Sequence, residues 1–375
     1  MNIVIAPDSF KGSLSALNAG TMMRKAFEDE WDGFNIRVIP MADGGEGTLD
    51  TLVYSTNGKQ IEVEATGPLG EKIKTVYGML GDMNTAVIEM ANIAGLPMVP
   101  KDKLNPLNTT SYGIGEVILD AADKGCRRFI VGLGGSATND GGLGMLQALG
   151  VTFLDENNEV IEPYGHSVGK VRKVDFSTMK SIIKDCYFQI ASDVDNPLCG
   201  PKGASYIFGP QKGADKQMVE ELDQALKSYG EVIEQTLNKN VLNLGGAGAA
   251  GGLGFAFLLL NSKLESGAKL VAEFSNLAEA IHKADWVLTG EGQSDYQTLY
   301  GKVPSYVAKV AKQYNVNTSL VSGSLGKGFE KLYEDFISCH SITKGPMRLE
   351  ECMIRAGELL YSETKNIARL LRAKI

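Results

Sequence analysis

Carboxylates, lysines and hydroxyls in this 375-residue chain gather inside glycine-bearing segments. The first, APDSFKGSLSA (6–16), carries Asp8, Ser9 and Lys11. The second, PMADGGEGT (40–48), sets Asp43 and Glu46 around Gly44 and Gly45. The third, VGLGGSATNDGGLG (131–144), mixes Gly134 and Gly135 with Ser136, Thr138, Asn139 and Asp140. A loop of this kind, opening onto a helix, can turn backbone N–H groups toward phosphate or carboxylate oxygens. The fourth (191–214) holds Asp193 and Asp195 at i, i+2, then Asn196, Lys202 and Lys212. Two carboxylates at that spacing share a face if the chain is extended, which suits a divalent cation such as Mg²⁺ or the acceptance of a hydroxyl proton. The fifth, TGEGQSDYQTLYGKVP (289–304), supplies Glu291, Asp295 and Lys302. A further cluster, GAGAAGGLG (246–254), has no charge and reads as a close-packing element.

Metal ligands, phosphate-neutralising cations, backbone donors and a proton acceptor are the parts that phosphoryl transfer requires. Structural readings compete with this one. Ser13 could simply cap the helix that follows, the second segment could be a tight turn, and the fourth a long loop with solvated charges. No G-x-x-x-x-G-K-[ST] box is present, GSLGKG (323–328) has the wrong spacing, and no protein-kinase pattern appears. The three histidines are isolated and the five cysteines form no C-x-x-C pair, so a zinc site or a Ser-His-Asp triad has little to build on, and reduced thiols are expected. One rival is a dinucleotide site, from Gly132, Gly134 and Ala137 with Asp155 further on, which would make the chain an NAD-dependent oxidoreductase. A non-catalytic ligand-binding protein is the other.

The elements that must position these segments are legible from periodicity. NIVIA (2–6), a helical pattern over 14–30 and a second apolar run over 36–39 read as strand, helix and strand of a parallel α/β sheet. Residues 48–55 read as a helix. From Gln60 the texture alternates, with GPLG between two runs, which predicts an antiparallel hairpin; 85–89 adds a strand. A helix (114–124), a buried strand (128–131) and a helix (144–149) follow, then a hairpin over 153–163 and a long amphipathic helix over 215–237. The parallel texture returns with strands at 286–289, 318–322 and 336–340 and helices at 303–314 and 349–360. The expected architecture is an α/β domain built from both ends of the chain (1–60 and 276–375) with a mixed α/β domain inserted (61–275), and an active site in the cleft between them.

Composition narrows the partners. With Lys+Arg 37 against Asp+Glu 45 the net charge is −8, and no long basic run exists, so nucleic acid is not an expected partner. The apolar stretch 244–260 is too short and too glycine-rich for a membrane span, and the N-terminus lacks the pattern of a secretory signal, so a cytoplasmic protein is expected. The 44 glycines far exceed the average near 7%, yet follow no G-X-Y period. Twenty-two of them lie at 44–47, 132–144, 200–213, 245–254 and 290–301, beside the carboxylates and lysines singled out above.

Those segments, in their order, resemble the class I glycerate kinases: APDSFKGSLSA, PMADGGEGT, GLGGSATNDGG, SDVDNPLCGPKGAS with FGPQKGA, GAGAAGGLGF and TGEG–D–Q–GKVP. The resemblance runs from Ile5 to about Pro304. It implies a flavodoxin-like parallel-sheet domain with an inserted second α/β domain, ATP and Mg²⁺ as cofactors, and transfer of the γ-phosphoryl group to a hydroxyl of D-glycerate, giving 2-phosphoglycerate in bacterial-type members. A monomer or homodimer acting on small molecules is the expected form. One departure is Gln293, where the family commonly has Arg after TGEG. Within this framework Asp193, Asp195, Lys11 and Asp43 are the expected catalytic residues, with Asp193 and Asp195 as Mg²⁺ ligands. The other singled-out residues, among them Asp8, Glu291, Asp295, Lys212 and Lys302, would bind substrate or nucleotide.

Overall fold

The structure is a computed structural model, described here for residues 1–260 and 262–373. In chain order, the strands of the two larger sheets are β1 (Asn2–Ile5), β2 (Asn35–Val38), β3 (Lys59–Thr66), β4 (Lys72–Met79), β5 (Thr85–Glu89), β6 (Arg128–Gly132), β7 (Tyr187–Ala191), β8 (Lys263–Glu265), β9 (Trp286–Thr289), β10 (Asn317–Ser322) and β11 (Ser338–Ser341). The chain divides into two compact units. The first comprises Met1–Asp43, Asp50–Ser55 and Ala268–Ile375; the second comprises Gly44–Leu49 and Thr56–Gly267.

The first unit is a flavodoxin-like layer. Its sheet has the order β11-β10-β9-β1-β2, and every neighbouring pair is parallel. Strand β1 lies between β2 and β9, with Ile3 opposite both Ile36 and Trp286. The inner strands β1, β9 and β10 are short and almost wholly buried, as a parallel sheet demands, while the edge strands β2 and β11 are partly exposed. The helices Ala16–Glu28 and Ala356–Arg372 pack together over one side, sharing a core of Ile3, Ile5, Phe27, Leu360 and Ile367. Each fully buried apolar side chain of this kind contributes about 1.5–3 kcal/mol. The helix Ala16–Glu28 begins at Ser15, whose hydroxyl accepts from Asn18 N–H; Ser13 instead donates to the Phe10 carbonyl, so the cap lies two residues beyond the expected one.

The second unit has a mixed sheet of order β8-β7-β6-β5-β4-β3. The hairpin β3–β4 is antiparallel over its whole length, from Lys59 opposite Met79 to Thr66 opposite Lys72. Strand β5 joins β4 antiparallel and β6 parallel, and so turns the sheet from one pattern to the other. One large apolar core lies beneath it, with Phe129 and Phe188 stacked at 5.1 Å between ring centroids.

Two elements differ from the sequence reading. The hairpin expected over 153–163 does not extend: Thr152–Leu154 pairs antiparallel with Lys173–Asp175, and Val160 makes a single bridge to Leu154. The Asp155 turn does close, its carboxylate accepting from Asn157 and Glu159 N–H, but Pro163 has no N–H to continue a ladder. The helix expected over 349–360 is two helices, Leu349–Ile354 and Ala356–Arg372, separated at Arg355. No described helix is long and apolar enough to cross a membrane.

Candidate active site

All five strands of the first unit's sheet end on one pocket of about 720 Å³. The loop after β1 supplies Asp8, Ser9, Phe10, Lys11 and Ser13, and the segment after β2 supplies Asp43. Glu291, Gly292 and Gln293 follow β9, Gly323 and Ser324 follow β10, and Ile342 and Thr343 follow β11. Ligands of open α/β sheets bind at this edge, outside the carboxyl ends of the strands where the order reverses; here the reversal falls between β1 and β9.

Glu291 is the best-anchored group of the pocket. Its Oε1 accepts from Ser294 Oγ at 2.9 Å and Thr298 Oγ1 at 2.8 Å, and its Oε2 accepts from Lys302 Nζ at 3.3 Å. The spacing E-x-x-S-x-x-x-T-x-x-x-K in the fifth segment is therefore a wrap around one buried carboxylate. Ser294 is tied in turn to Ser322 Oγ at 2.7 Å, and Thr298 Oγ1 accepts from Asp295 N–H. Asp295 does not line the pocket: its side chain accepts from Gln297 N–H and caps the turn of helix Tyr296–Leu299.

Asp8 faces this group. Its backbone N–H is held by the Gly290 carbonyl at 2.8 Å, and its Oδ1 accepts from Ser9 N–H at 2.6 Å. Burial pushes the Asp8 carboxyl up to about 7, and Asp43 and Glu291 add to this; the Ser9 N–H and Lys11 oppose it. Lys11, well exposed, pairs with Asp43 at 3.6 Å. Two carboxylates, Asp43 and Glu291, and two lysines, Lys11 and Lys302, thus line the pocket with a buried aspartate that can change protonation near neutral pH.

In the second unit the carboxyl edge of the parallel strands carries Glu89 as the last residue of β5, the third glycine segment at the end of β6, and Asp193 and Asp195 after β7. The third segment is a scaffold of buried charge. Asp140 is fully buried; its Oδ2 accepts from Ser111 N–H (2.8 Å), Ser111 Oγ (2.7 Å) and Gly144 N–H (3.3 Å), and its Oδ1 from Gly142 N–H (3.1 Å). Lys212, only 2% exposed, donates to Ser136 Oγ at 2.9 Å and to the Thr138 carbonyl at 2.6 Å. Burial lowers the Lys212 ammonium to about 7, against the pull of Asp140. Lys212 thus fixes the Ser136–Thr138 backbone from inside the protein. Asn139 donates to Ser205 Oγ at 3.0 Å, while its Oδ1 is buried without a hydrogen-bond partner.

The glycines have steric reasons. A Cβ on Gly132 would stand 2.5 Å from the Gly44 carbonyl oxygen, so the second and third segments meet backbone to backbone. Gly251, at φ +69°, would place a Cβ 1.9 Å from the Thr138 oxygen, and its carbonyl accepts from Gly141 N–H. The uncharged cluster is therefore the floor under the third segment.

Asp193 and Asp195 are both exposed. Asp195 lies against Gly245, where a Cβ would meet its carboxylate, and Asn196 is held by the Lys202 carbonyl at 2.7 Å. Glu46 is exposed beside Gly44 and Gly45, and Gly134 and Gly135 lie at the surface end of their loop. No group of three or more His, Cys, Asp or Glu residues among the described residues is arranged to enclose a metal. Asp155, required by the dinucleotide reading, is committed to its own turn. Sequence reasoning missed Glu89, buried and accepting from Leu49 N–H at 2.6 Å, whose position at a strand end was its only signal. It also missed the apolar pocket wall from residues 342–356, which nothing in composition marks.

A flavodoxin-like sheet whose loops gather carboxylates and lysines, with no histidine or thiol pair among them, has the build of an α/β phosphotransferase. Comparison with known proteins agrees. Residues 3–372 match the Glycerate kinase family. The chain is 46% identical over 368 residues to a glycerate kinase of Halalkalibacterium halodurans, covering 98% of this chain and 97% of that one. It is 43% identical over 373 residues to glycerate 2-kinase of Escherichia coli, covering 99% and 98%. A Salmonella typhimurium LT2 crystal structure assigned as a glycerate kinase 2 superposes with a TM-score of 0.91 at 42% identity, covering 100% of this chain and 99% of that one. The chain belongs to the glycerate kinase family. Nothing in these matches supports the oxidoreductase reading.

Proposed function

We propose that this chain transfers the γ-phosphoryl group of ATP to a hydroxyl of D-glycerate, with 2-phosphoglycerate as the product. The observation that carries this is the pocket at the switch point of the first sheet, where Asp8 sits beside Lys11, Asp43, Glu291 and Lys302. In the reaction the substrate hydroxyl oxygen forms a bond to the γ-phosphorus, the bond from that phosphorus to the bridging oxygen breaks, and ADP leaves. Asp8 is our candidate for the group that takes the hydroxyl proton. Lys11 and Lys302 neutralise the oxygens of the transferring phosphoryl group or the glycerate carboxylate.

Mg²⁺ would supply charge neutralisation for the phosphates when bound. It commonly takes one or two carboxylates and keeps waters and phosphate oxygens for the rest, and the exposed residues Asp193 and Asp195 are our candidates to hold it. The amides of Gly134–Thr138, braced by Lys212, are candidates for anion contact. Gln293 at the pocket rim leaves the cationic role to the lysines.

Incubation with ATP, Mg²⁺ and D-glycerate, followed by NMR of the product, tests the reading. A 2-phosphoglycerate spectrum supports it; the 3-isomer overturns the regiochemistry, and no phosphoglycerate overturns the activity. Near-native turnover and Mg²⁺ dependence in both Asp193→Asn and Asp195→Asn would remove the metal assignment.

A further inference from the structure

The pocket of the first unit has two chemically different ends. The charged end holds Asp8, Lys11, Asp43, Glu291 and Lys302; the other is walled by Ile342, Met347, Leu349, Cys352, Met353 and Ala356. The two ends are continuous, because a Cβ on Gly12, next to Lys11, would lie 2.8 Å from Met353 Cε. The wall is not closed over by the protein. Leu349 is 74% exposed although it lines the pocket, and Met347, Cys352 and Met353 are only half-buried. A volume of about 720 Å³ falls within the 300–1,000 Å³ of sites for drug-sized ligands and cofactors. A hydroxy acid, polar at every carbon, gains nothing from the apolar end.

We propose that this wall is the subsite for the adenine base of the nucleotide, with the triphosphate running from it toward Lys11 and Lys302. The proposal rests on the reading that ATP is the phosphoryl donor. It commits to an occupant with a flat apolar end and an anionic tail because the pocket offers an apolar end joined to a lysine-bearing one. Flexible thioether and thiol side chains suit the face of a heterocycle, since their polarisable sulfur favours contact with rings. A second copy of the chain docking through Leu349 would use the same exposed side chain and is an outcome of the test below.

Cys352 is the reporter. It lines the wall, and the other four cysteines, of which Cys126 is buried, provide internal comparison. The full chain is alkylated with iodoacetamide, and each cysteine peptide is followed by mass spectrometry in the presence of ATP, adenosine, tripolyphosphate or D-glycerate. Saturating ATP is expected to slow alkylation of Cys352 about tenfold or more, following the unliganded fraction. Adenosine protects at higher concentration; tripolyphosphate and glycerate do not. Leu349→Asp, at an exposed position that tolerates the change, raises the ATP concentration for half-protection about tenfold and leaves KM for glycerate in place, as expected for about 1.4 kcal/mol of lost contact. Three results overturn the proposal: tripolyphosphate protecting as well as ATP, ATP slowing all the cysteines alike, or Leu349→Asp changing the native mass without moving ATP protection. Because protection reports binding alone, phosphoglycerate formation without protection defeats this subsite and spares the function, while protection without phosphoglycerate does the reverse.

Discussion

At the scale of single residues the notable pair is an acid held high and a base held low. Asp8 reaches about 7 by burial, with Asp43 and Glu291 reinforcing and Lys11 opposing. Between the ordinary carboxylate value and 7 the folded state holds a proton that the unfolded chain releases, so stability falls as pH rises through this window, by up to about 4 kcal/mol. Asp8→Asn removes that fall: urea unfolding of the variant is expected to match wild type near pH 4 and to exceed it above pH 7. If Asp8 takes the hydroxyl proton, the same substitution lowers kcat about 10²–10⁴-fold and erases the acid limb near pH 7 from the kcat/KM profile. Lys212 shows the opposite sign. Its ammonium is lowered to about 7, so the cost of burying it is complete below 7 and fades as pH rises toward 10.5, where the unfolded lysine also loses its proton. Melting curves of Lys212→Met against wild type should show the variant's relative stability declining from pH 7 to pH 10, and a difference independent of pH would mean that the buried lysine keeps its ordinary pKa and stays charged.

At the scale of elements, the segments that carry chemistry are loops held by backbone contact. Gly251→Ala would set a Cβ against the Thr138 oxygen at a backbone angle unfavourable to alanine. Its expected effect is a loss of about 3 kcal/mol or more, together with a fall in kcat as the Ser136–Thr138 loop shifts, read by thermal unfolding and steady-state kinetics. The strands and most helices were legible in the sequence because their apolar spacing is strong: β1 and β9 are nearly continuous apolar runs, and 216–237 is a long amphipathic pattern capped by Asp215. The 153–163 hairpin was not, because turn chemistry at Asp155 is local and does not report which strand Thr152–Leu154 will join. Within the site, Asp8, Lys11, Asp43, Glu291 and Lys302 were legible as charges in glycine-bearing loops after strands. Their partition was not: Asp295 looked like Glu291 in sequence, yet one caps a turn and the other faces the pocket. Lys212 read as a phosphate ligand in the same way, yet its ammonium is spent on Ser136 and Thr138.

At the scale of the whole molecule, the sheet of the first unit takes two strands from the start of the chain and three from its end. The second unit, apart from Gly44–Leu49, is one continuous stretch, Thr56–Gly267. A fragment of residues 56–267 is therefore expected to unfold cooperatively in urea by circular dichroism, whereas residues 1–55 alone stay unstructured; a featureless 56–267 fragment would show that the stretch depends on the rest of the chain. The pairing of Ile3 with Trp286 carries a further consequence in time. During synthesis β1 has to wait, unpaired on one edge, until Trp286–Thr289 has left the ribosome. Closing that long loop is the entropically slow step, so the order of folding runs from the middle of the gene outward, and Asp8 reaches its final surroundings among the last residues to do so.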